Sequence, residues 1–176
     1  LRQAMLSAIA CANDAIRQEA ARNEEYQHMG TTLVCAVARS DMAIIGNIGD
    51  SRAYHITPEG IFQISRDHSV VENMVAKGDL TPLEARTHPN RNLSTRALGP
   101  DIHAKADTFE LPWHKDEFLL LCSDGLVNTV SDQEMLFEVL HDGDVNECLD
   151  HLLQISLQRG APDNITAVLL LNEEGR

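Results

Sequence analysis

Aromatic residues are scarce, at 4% of the 176-residue chain, so a core must be filled by Leu, Ile, Val, Met and Ala. No apolar run approaches the roughly 18 residues that a membrane-spanning helix needs, which excludes a membrane segment within this chain. The four cysteines, Cys11, Cys35, Cys122 and Cys148, are far apart and form no Cys-x-x-Cys pair. That spacing argues against a zinc or redox motif and for buried free thiols in a reducing, cytoplasmic compartment. No two of the eight histidines are three or four residues apart, so a helical His-based metal site is excluded. Positive charge is also short, with a net charge of −13. Nucleic acid is therefore an unsuitable partner, and any phosphate site must carry its own local positive charge, which a bound divalent cation could provide.

A chain of this length can bury on the order of 70% of its unfolded surface. Leu1 opens directly into helical periodicity, with no initiator Met, basic n-region or signal-cleavage pattern. Leu1, Met5, Ala8, Ile9, Ala12 and Ile16 recur at helical spacing and predict an amphipathic first helix. Thr31 to Ala38 and Met42 to Ile48 predict a hairpin. Arg52 to Thr57 and Ile61 to Ser65 extend it to an antiparallel meander through the Gly49-Asp50-Ser51 corner. Ser69 to Lys77 predicts a short helix ended by Gly78, and Thr81-Pro82-Leu83-Glu84 carries the N-cap, proline and capping-box glutamate of a second one. His88 to Pro100 is polar and aperiodic, as in a surface loop or flap. Lys105 to Leu111 and the strongly apolar Phe118 to Cys122 predict further strands. A capping box at Ser131 to Glu134 and a cap at Asp144 open two amphipathic helices, and Ile165 to Leu171 predicts the last strand. There is no repeat, no linker and no regular β-α-β alternation, which points to antiparallel sheets covered by helices.

Three aspartates share one local context. Asp50 follows Ile48-Gly49, Asp124 lies between Ser123 and Gly125, and Asp163 lies between Pro162 and Asn164, each at the end of an apolar strand. Singly, each is ordinary turn chemistry. Brought to one edge of a sandwich, carboxylates ~4 Å apart would repel by about 4 kcal/mol at an effective dielectric near 20, and such a cluster wants a cation. Oxygen donors without His or Cys favour a hard ion such as Mg²⁺ or Mn²⁺. Hydrolysis of a phosphate ester by a metal-activated water is the chemistry that follows.

The ordered set Met29-Gly30-Thr31-Thr32-Leu33, Asn47-Ile48-Gly49-Asp50-Ser51-Arg52, Ser65-Arg66-Asp67-His68-Ser69, His88-Pro89-Asn90-Arg91-Asn92, Thr95-Arg96-Ala97-Leu98-Gly99, Leu121-Cys122-Ser123-Asp124-Gly125-Leu126 and Gly160-Ala161-Pro162-Asp163-Asn164-Ile165-Thr166 resembles the bacterial form of the type 2C metal-dependent protein phosphatases. The match runs from about Leu1 to Leu171. The resemblance implies an α+β fold, a four-layer α/β/β/α sandwich of two antiparallel sheets flanked by helices. It implies a protein serine/threonine phosphatase using Mg²⁺ or Mn²⁺, two or three ions in the complete domain, with phosphorylated proteins of a serine/threonine kinase as substrates. Asp124 would be the carboxylate shared among metals, Asp163 a ligand of the first metal, and Asp50 a ligand, with Asp124, of a third and weaker one. Asn128 stands where some relatives carry another acidic ligand, and Ser123 and Asn164 would shape turns. Residues 69–98 would form a flap that tunes substrate access, with Arg91 and Arg96 in it. Residues 1–176 are thus expected to be a single phosphatase-like domain lacking its N-terminal segment. That segment would hold a phosphate-binding Arg, an Asp-Gly pair bridging two metals and a His acting as general acid, and without it the chain is expected to be inactive.

Two rivals compete with this reading. A cysteine-based phosphatase needs a His-Cys-x5-Arg cradle, which none of the four cysteines provides. A non-catalytic phosphatase-like binding module would be signalled by lost ligands, whereas the three positions visible here are all Asp.

Overall fold

The computed structural model describes residues 1–91, 93–141 and 144–174. Asn92, inside the expected flap, lies outside them. The elements follow in the order α1 (Arg2–Arg22), β1 (Leu33–Ala38), β2 (Met42–Ile48), β3 (Arg52–Thr57), β4 (Gly60–Gln63), α2 (Val70–Lys77), α3 (Pro82–Thr87), β5 (Asp107–Pro112), β6 (Phe118–Cys122), α4 (Asp124–Val127), α5 (Asp132–His141), α6 (Val145–Gln158) and β7 (Ala167–Leu171), with one short 3₁₀ turn at Glu24–Tyr26. They form two antiparallel sheets flanked by helices, one ordered β1-β2-β5 and the other β4-β3-β6-β7.

The meander expected for the first third of the chain is divided between the two sheets. β1 and β2 are neighbours in the first, whereas β3 and β4 pair in the second. The chain changes sheet at the Gly49-Asp50-Ser51 corner, where Gly49 has φ +101°, a conformation that residues with side chains rarely adopt. A Cβ there would also overlap the side chain of Thr32.

By contact the chain divides into two compact units. The first comprises Leu1–Leu33, Gly46–Asp50 and Arg66–Thr108, and the second Val34–Ile45, Ser51–Ser65 and Phe109–Arg176. In the first unit α1 buries Met5, Ile9 and Asn13. Asn13 accepts a hydrogen bond from the Gly99 N–H at 2.8 Å and donates to the carbonyl oxygens of Asp101 (3.0 Å) and Ile102 (3.3 Å). α2 runs from the Ser69 N-cap to Gly78 in the left-handed conformation, and α3 carries the complete Thr81–Glu84 capping box. Both were legible in the sequence because caps are local devices.

In the second unit β6 is central, paired antiparallel with β3 and with β7. Alternation along β3 and β6 divides their side chains between two cores. Tyr54, Ile56, Leu120 and Cys122 pack with Leu126, Val130, Met135, Val139, Cys148 and Leu152 from α4 to α6. Ala53 and Leu119 pack on the other face with Ala43, Ile45, Leu111 and Trp113. Burial on both faces explains why Phe118 to Cys122 is an unbroken apolar run.

None of the four cysteines is in a disulfide. Cys122 and Cys148 are buried as expected, but Cys35 is only half-buried and Cys11 is exposed, on a face of α1 outside the Met5–Ile9–Asn13 stripe. Among the described residues, no helix is long and apolar enough to cross a membrane.

Candidate metal-binding site

The register of the second unit's sheet decides which loops share an end. Arg52, the first residue of β3, is opposite Cys122, the last of β6, and Cys122 is opposite Ala167, the first of β7. The turn after β6 and the turn before β7 therefore emerge side by side, and both are stitched through Ser123. Its N–H donates to the Thr166 carbonyl at 2.9 Å, while its hydroxyl accepts from the Thr166 N–H at 3.0 Å and donates to the Asn164 carbonyl at 3.3 Å. The position after Asp124 must be glycine, because a Cβ on Gly125 would overlap the carbonyl oxygen of Asn164. Ser123 and the Asn164 backbone thus shape the turns, as expected.

This close approach sets Asp124, the first residue of α4, near Asp163 in the turn that follows Gly160. Asp124 is half-buried and Asp163 is exposed. Burial, and then the negative charge of Asp163, push the Asp124 carboxyl above its ordinary value. Hydrogen bonds restrain that rise. Asn128 Nδ2, one helical turn on, donates to Asp124 Oδ2 at 3.3 Å, so the amide orients this carboxylate rather than adding a third charge. Asp163 Oδ1 accepts from the Asn164 N–H at 2.7 Å, which fixes its rotamer against the turn.

A half-buried carboxylate whose ionisation is opposed by burial and by the charge of a neighbouring carboxylate suits a hard divalent cation. Asp124 and Asp163 would hold it. Among the described residues, no group of three His, Cys, Asp or Glu side chains is gathered into a metal cluster. Asp50 lies two residues before Arg52 in the sequence and belongs to the first unit, half-buried after the Gly49 corner.

The two flap arginines differ. Arg91 is exposed. Arg96 is half-buried and donates through Nη1 to Asp107 Oδ1 (3.0 Å) and to the Lys105 carbonyl (3.4 Å). Sequence reasoning passed over Asp107 and His68, which join Arg96 in one cluster within the first unit. His68 stands in the Ser65-Arg66-Asp67-His68-Ser69 motif, but a lone histidine after an Arg-Asp pair carries no local sign of what it contacts.

Residues 1–169 match the family described as Protein phosphatase 2C. The chain belongs to that family. This protein phosphatase 2C member is 36% identical over 151 residues to the serine/threonine phosphatase stp of Listeria monocytogenes, an alignment that takes in 84% of the chain and 60% of stp. Its fold superposes on the crystal structure of serine/threonine phosphatase Stp1 from Staphylococcus aureus with a TM-score of 0.93 at 38% identity, covering 97% of this chain and 67% of that one. It also superposes on the catalytic domain of serine threonine protein phosphatase PstP in complex with two manganese ions, with a TM-score of 0.84 at 31% identity, covering 94% and 68% of the two chains. The chain therefore spans about 60% of the length of the stp sequences it matches.

Proposed function

We propose that this chain is part of a metal-dependent protein serine/threonine phosphatase that hydrolyses phosphomonoesters by direct attack of water, without a covalent enzyme intermediate. The observation that carries the reading is that Asp163 lies close enough to the half-buried Asp124 for its charge to raise that carboxyl, with the two turns held together at Gly125 and Ser123, in a member of the protein phosphatase 2C family. Bound Mg²⁺ or Mn²⁺ neutralises charge developing on the phosphoryl group and lowers the pKa of water. The two-manganese complex of PstP supports that choice of ion.

The chain's own side chains have distinct roles in this reading. Asp124 and Asp163 supply the carboxylate oxygens that hold the cation, and Asn128 fixes the rotamer of Asp124 through its amide. Asp50 serves as a further, weaker ligand, a role that comes from the family resemblance. Residues 69–98 tune access of the phosphorylated segment of a protein substrate, Arg91 by its exposed charge and Arg96 through the loop it fastens to Asp107. The substrates are phosphoproteins made by a serine/threonine kinase, and four cysteines that form no disulfide are in keeping with a cytoplasmic location.

The deciding experiment assays the full-length protein on a small aryl phosphate and on a phosphopeptide, with and without Mn²⁺, in excess chelator and after thiol blocking. The expected result is turnover that needs Mn²⁺ or Mg²⁺, disappears in chelator and survives thiol blocking. Full activity in chelator would sink the proposal. Tight Mn²⁺ binding with no turnover on either substrate would leave a binding module.

A further inference from the structure

His68 is 5% exposed and meets the Gly49–Asp50 corner at both polar groups of one residue. Its backbone N–H donates to the Gly49 carbonyl at 2.8 Å, and its ring Nδ1 accepts from the Gly49 N–H at 3.1 Å. The opposite ring nitrogen, Nε2, lies 3.0 Å from Asp107 Oδ2 and 3.1 Å from Arg96 Nη1. These contacts select a tautomer. With the proton on Nε2, the ring accepts from Gly49 and donates to Asp107, which satisfies two contacts. With the proton on Nδ1, two N–H groups face each other at Gly49 and a lone pair faces the Asp107 carboxylate, leaving only the Arg96 contact satisfied. Asp107 then takes His68 on one oxygen and Arg96 on the other. Burial acts to raise the Asp107 carboxyl, but the two donors outweigh it and hold the group below its ordinary value, as a charged acceptor.

The other end of His68 is equally tied. Its carbonyl accepts from the Thr95 N–H (2.6 Å) and from the Ser94 hydroxyl (3.1 Å), and the next residue, Ser69, bridges to Ser94. Val70 N–H donates to the Leu93 carbonyl at 3.0 Å. The excursion from Val70 to Leu93 therefore closes at a stem on which the ring of His68 is mounted. Gly49 needs such a hold, because glycine restricts the backbone least and a left-handed corner relaxes easily without outside partners.

We propose that His68 is the positioning residue for Asp50: Asp107 and Arg96 orient its ring, and Nδ1 and the backbone N–H fasten Gly49, so that the neighbouring carboxylate keeps one direction. The metal half of this inference rests on Asp50 acting as a ligand. Carboxylate ligands depend on such outer partners, whose loss costs about 10- to 100-fold in metal affinity or activity.

The test uses the full chain labelled with ¹⁵N. Long-range correlation spectra should place the His68 proton on Nε2 and detect a hydrogen-bond coupling between Gly49 N and Nδ1. A proton on Nδ1, or no coupling, overturns the proposal without any variant. Calorimetric Mn²⁺ titrations then compare His68→Ala, which removes the acceptor, with His68→Asn, whose side-chain oxygen can stand near the Nδ1 position. His68→Ala should weaken the weaker class of Mn²⁺ sites by about 10- to 100-fold, and His68→Asn should restore most of that loss together with the Gly49 amide shift. Equal weakening in both folded variants overturns the proposal. So does an Asn variant that loses the Gly49 bond yet titrates like the wild type, an arm that stands even if the Ala variant does not fold. Asp50→Asn, run in parallel, should weaken the same class. If it does not, the ligand reading of Asp50 has failed, and the metal half of the inference with it, while the spectra decide the clamp separately.

Discussion

No side chain fits between Gly125 and the carbonyl oxygen of Asn164. The contact joins the start of α4 to the turn before β7, and so sets how closely the segments that carry Asp124 and Asp163 approach. Gly125→Ala must push the turn away at both partners, because the obstructing atom is backbone and cannot rotate aside. Overpacking of this kind costs about 1–3 kcal/mol. The expected outcome is a lower denaturant midpoint with an unchanged m-value, accompanied by weaker Mn²⁺ binding. Wild-type stability and Mn²⁺ affinity in this variant would show that the contact does not set the site.

Asp124 and Asp50 should differ in rank. Asp124 sits in the carboxylate pair and is pushed toward its neutral form by burial and by Asp163, so Asp124→Asn removes a charge the metal-free fold does not favour. The variant should melt no lower than the wild type in chelator, while losing tight Mn²⁺ binding and nearly all turnover. Asp50→Asn should retain the tight Mn²⁺ class and lose turnover in part. Calorimetry giving the reverse order would contradict the assignment.

Arg91→Ala and Arg96→Ala should separate access from architecture. Arg91 is exposed, and its loss should lower phosphopeptide turnover more than aryl phosphate turnover without moving the melting temperature. Arg96 is paired with Asp107 in a half-exposed setting, so its removal should depress phosphopeptide turnover and also cost up to about 1 kcal/mol of stability. A phosphopeptide effect in neither variant would remove both residues from substrate access.

Acid should act through Glu134. This carboxylate accepts from Nη1 and Nη2 of Arg159 and closes the capping box with Ser131, while Arg159 also donates to the Thr129 carbonyl. Hydrogen bonds from Arg159 and then Ser131 hold the Glu134 carboxyl well below the usual range. A lowered carboxylate stabilises the fold above its unfolded-state pKa, and that contribution is lost as pH falls through the folded value. Wild type should therefore lose stability relative to Glu134→Gln as pH drops below about 4.3, the ordinary glutamate value. Parallel stability curves across that range would show that the pair is too solvated to matter.

The sequence alone was enough for what depends on near neighbours. The Thr81 and Ser131 capping boxes, the Gly78 stop, the apolar run of β6 and the turn chemistry around Asp50, Asp124 and Asp163 are all legible because a cap, an alternation or a turn involves residues a few positions apart. The ordered motifs carried the family for the same reason, since each is a short local string. Tertiary structure decided what joins distant positions. The chain crosses from one sheet to the other at Gly49 instead of continuing a meander, because on the side away from β4 the partner of β3 is β6, 60 or more residues away, and not β2. Asn13 looks like a solvated helix residue and instead fills a polar niche at Gly99, 86 positions on. His68 and Asp107 give no local sign of their contact across 39 residues. Periodicity reports which face of an element is buried, whereas the identity of the groups that meet it follows only from how the whole chain closes.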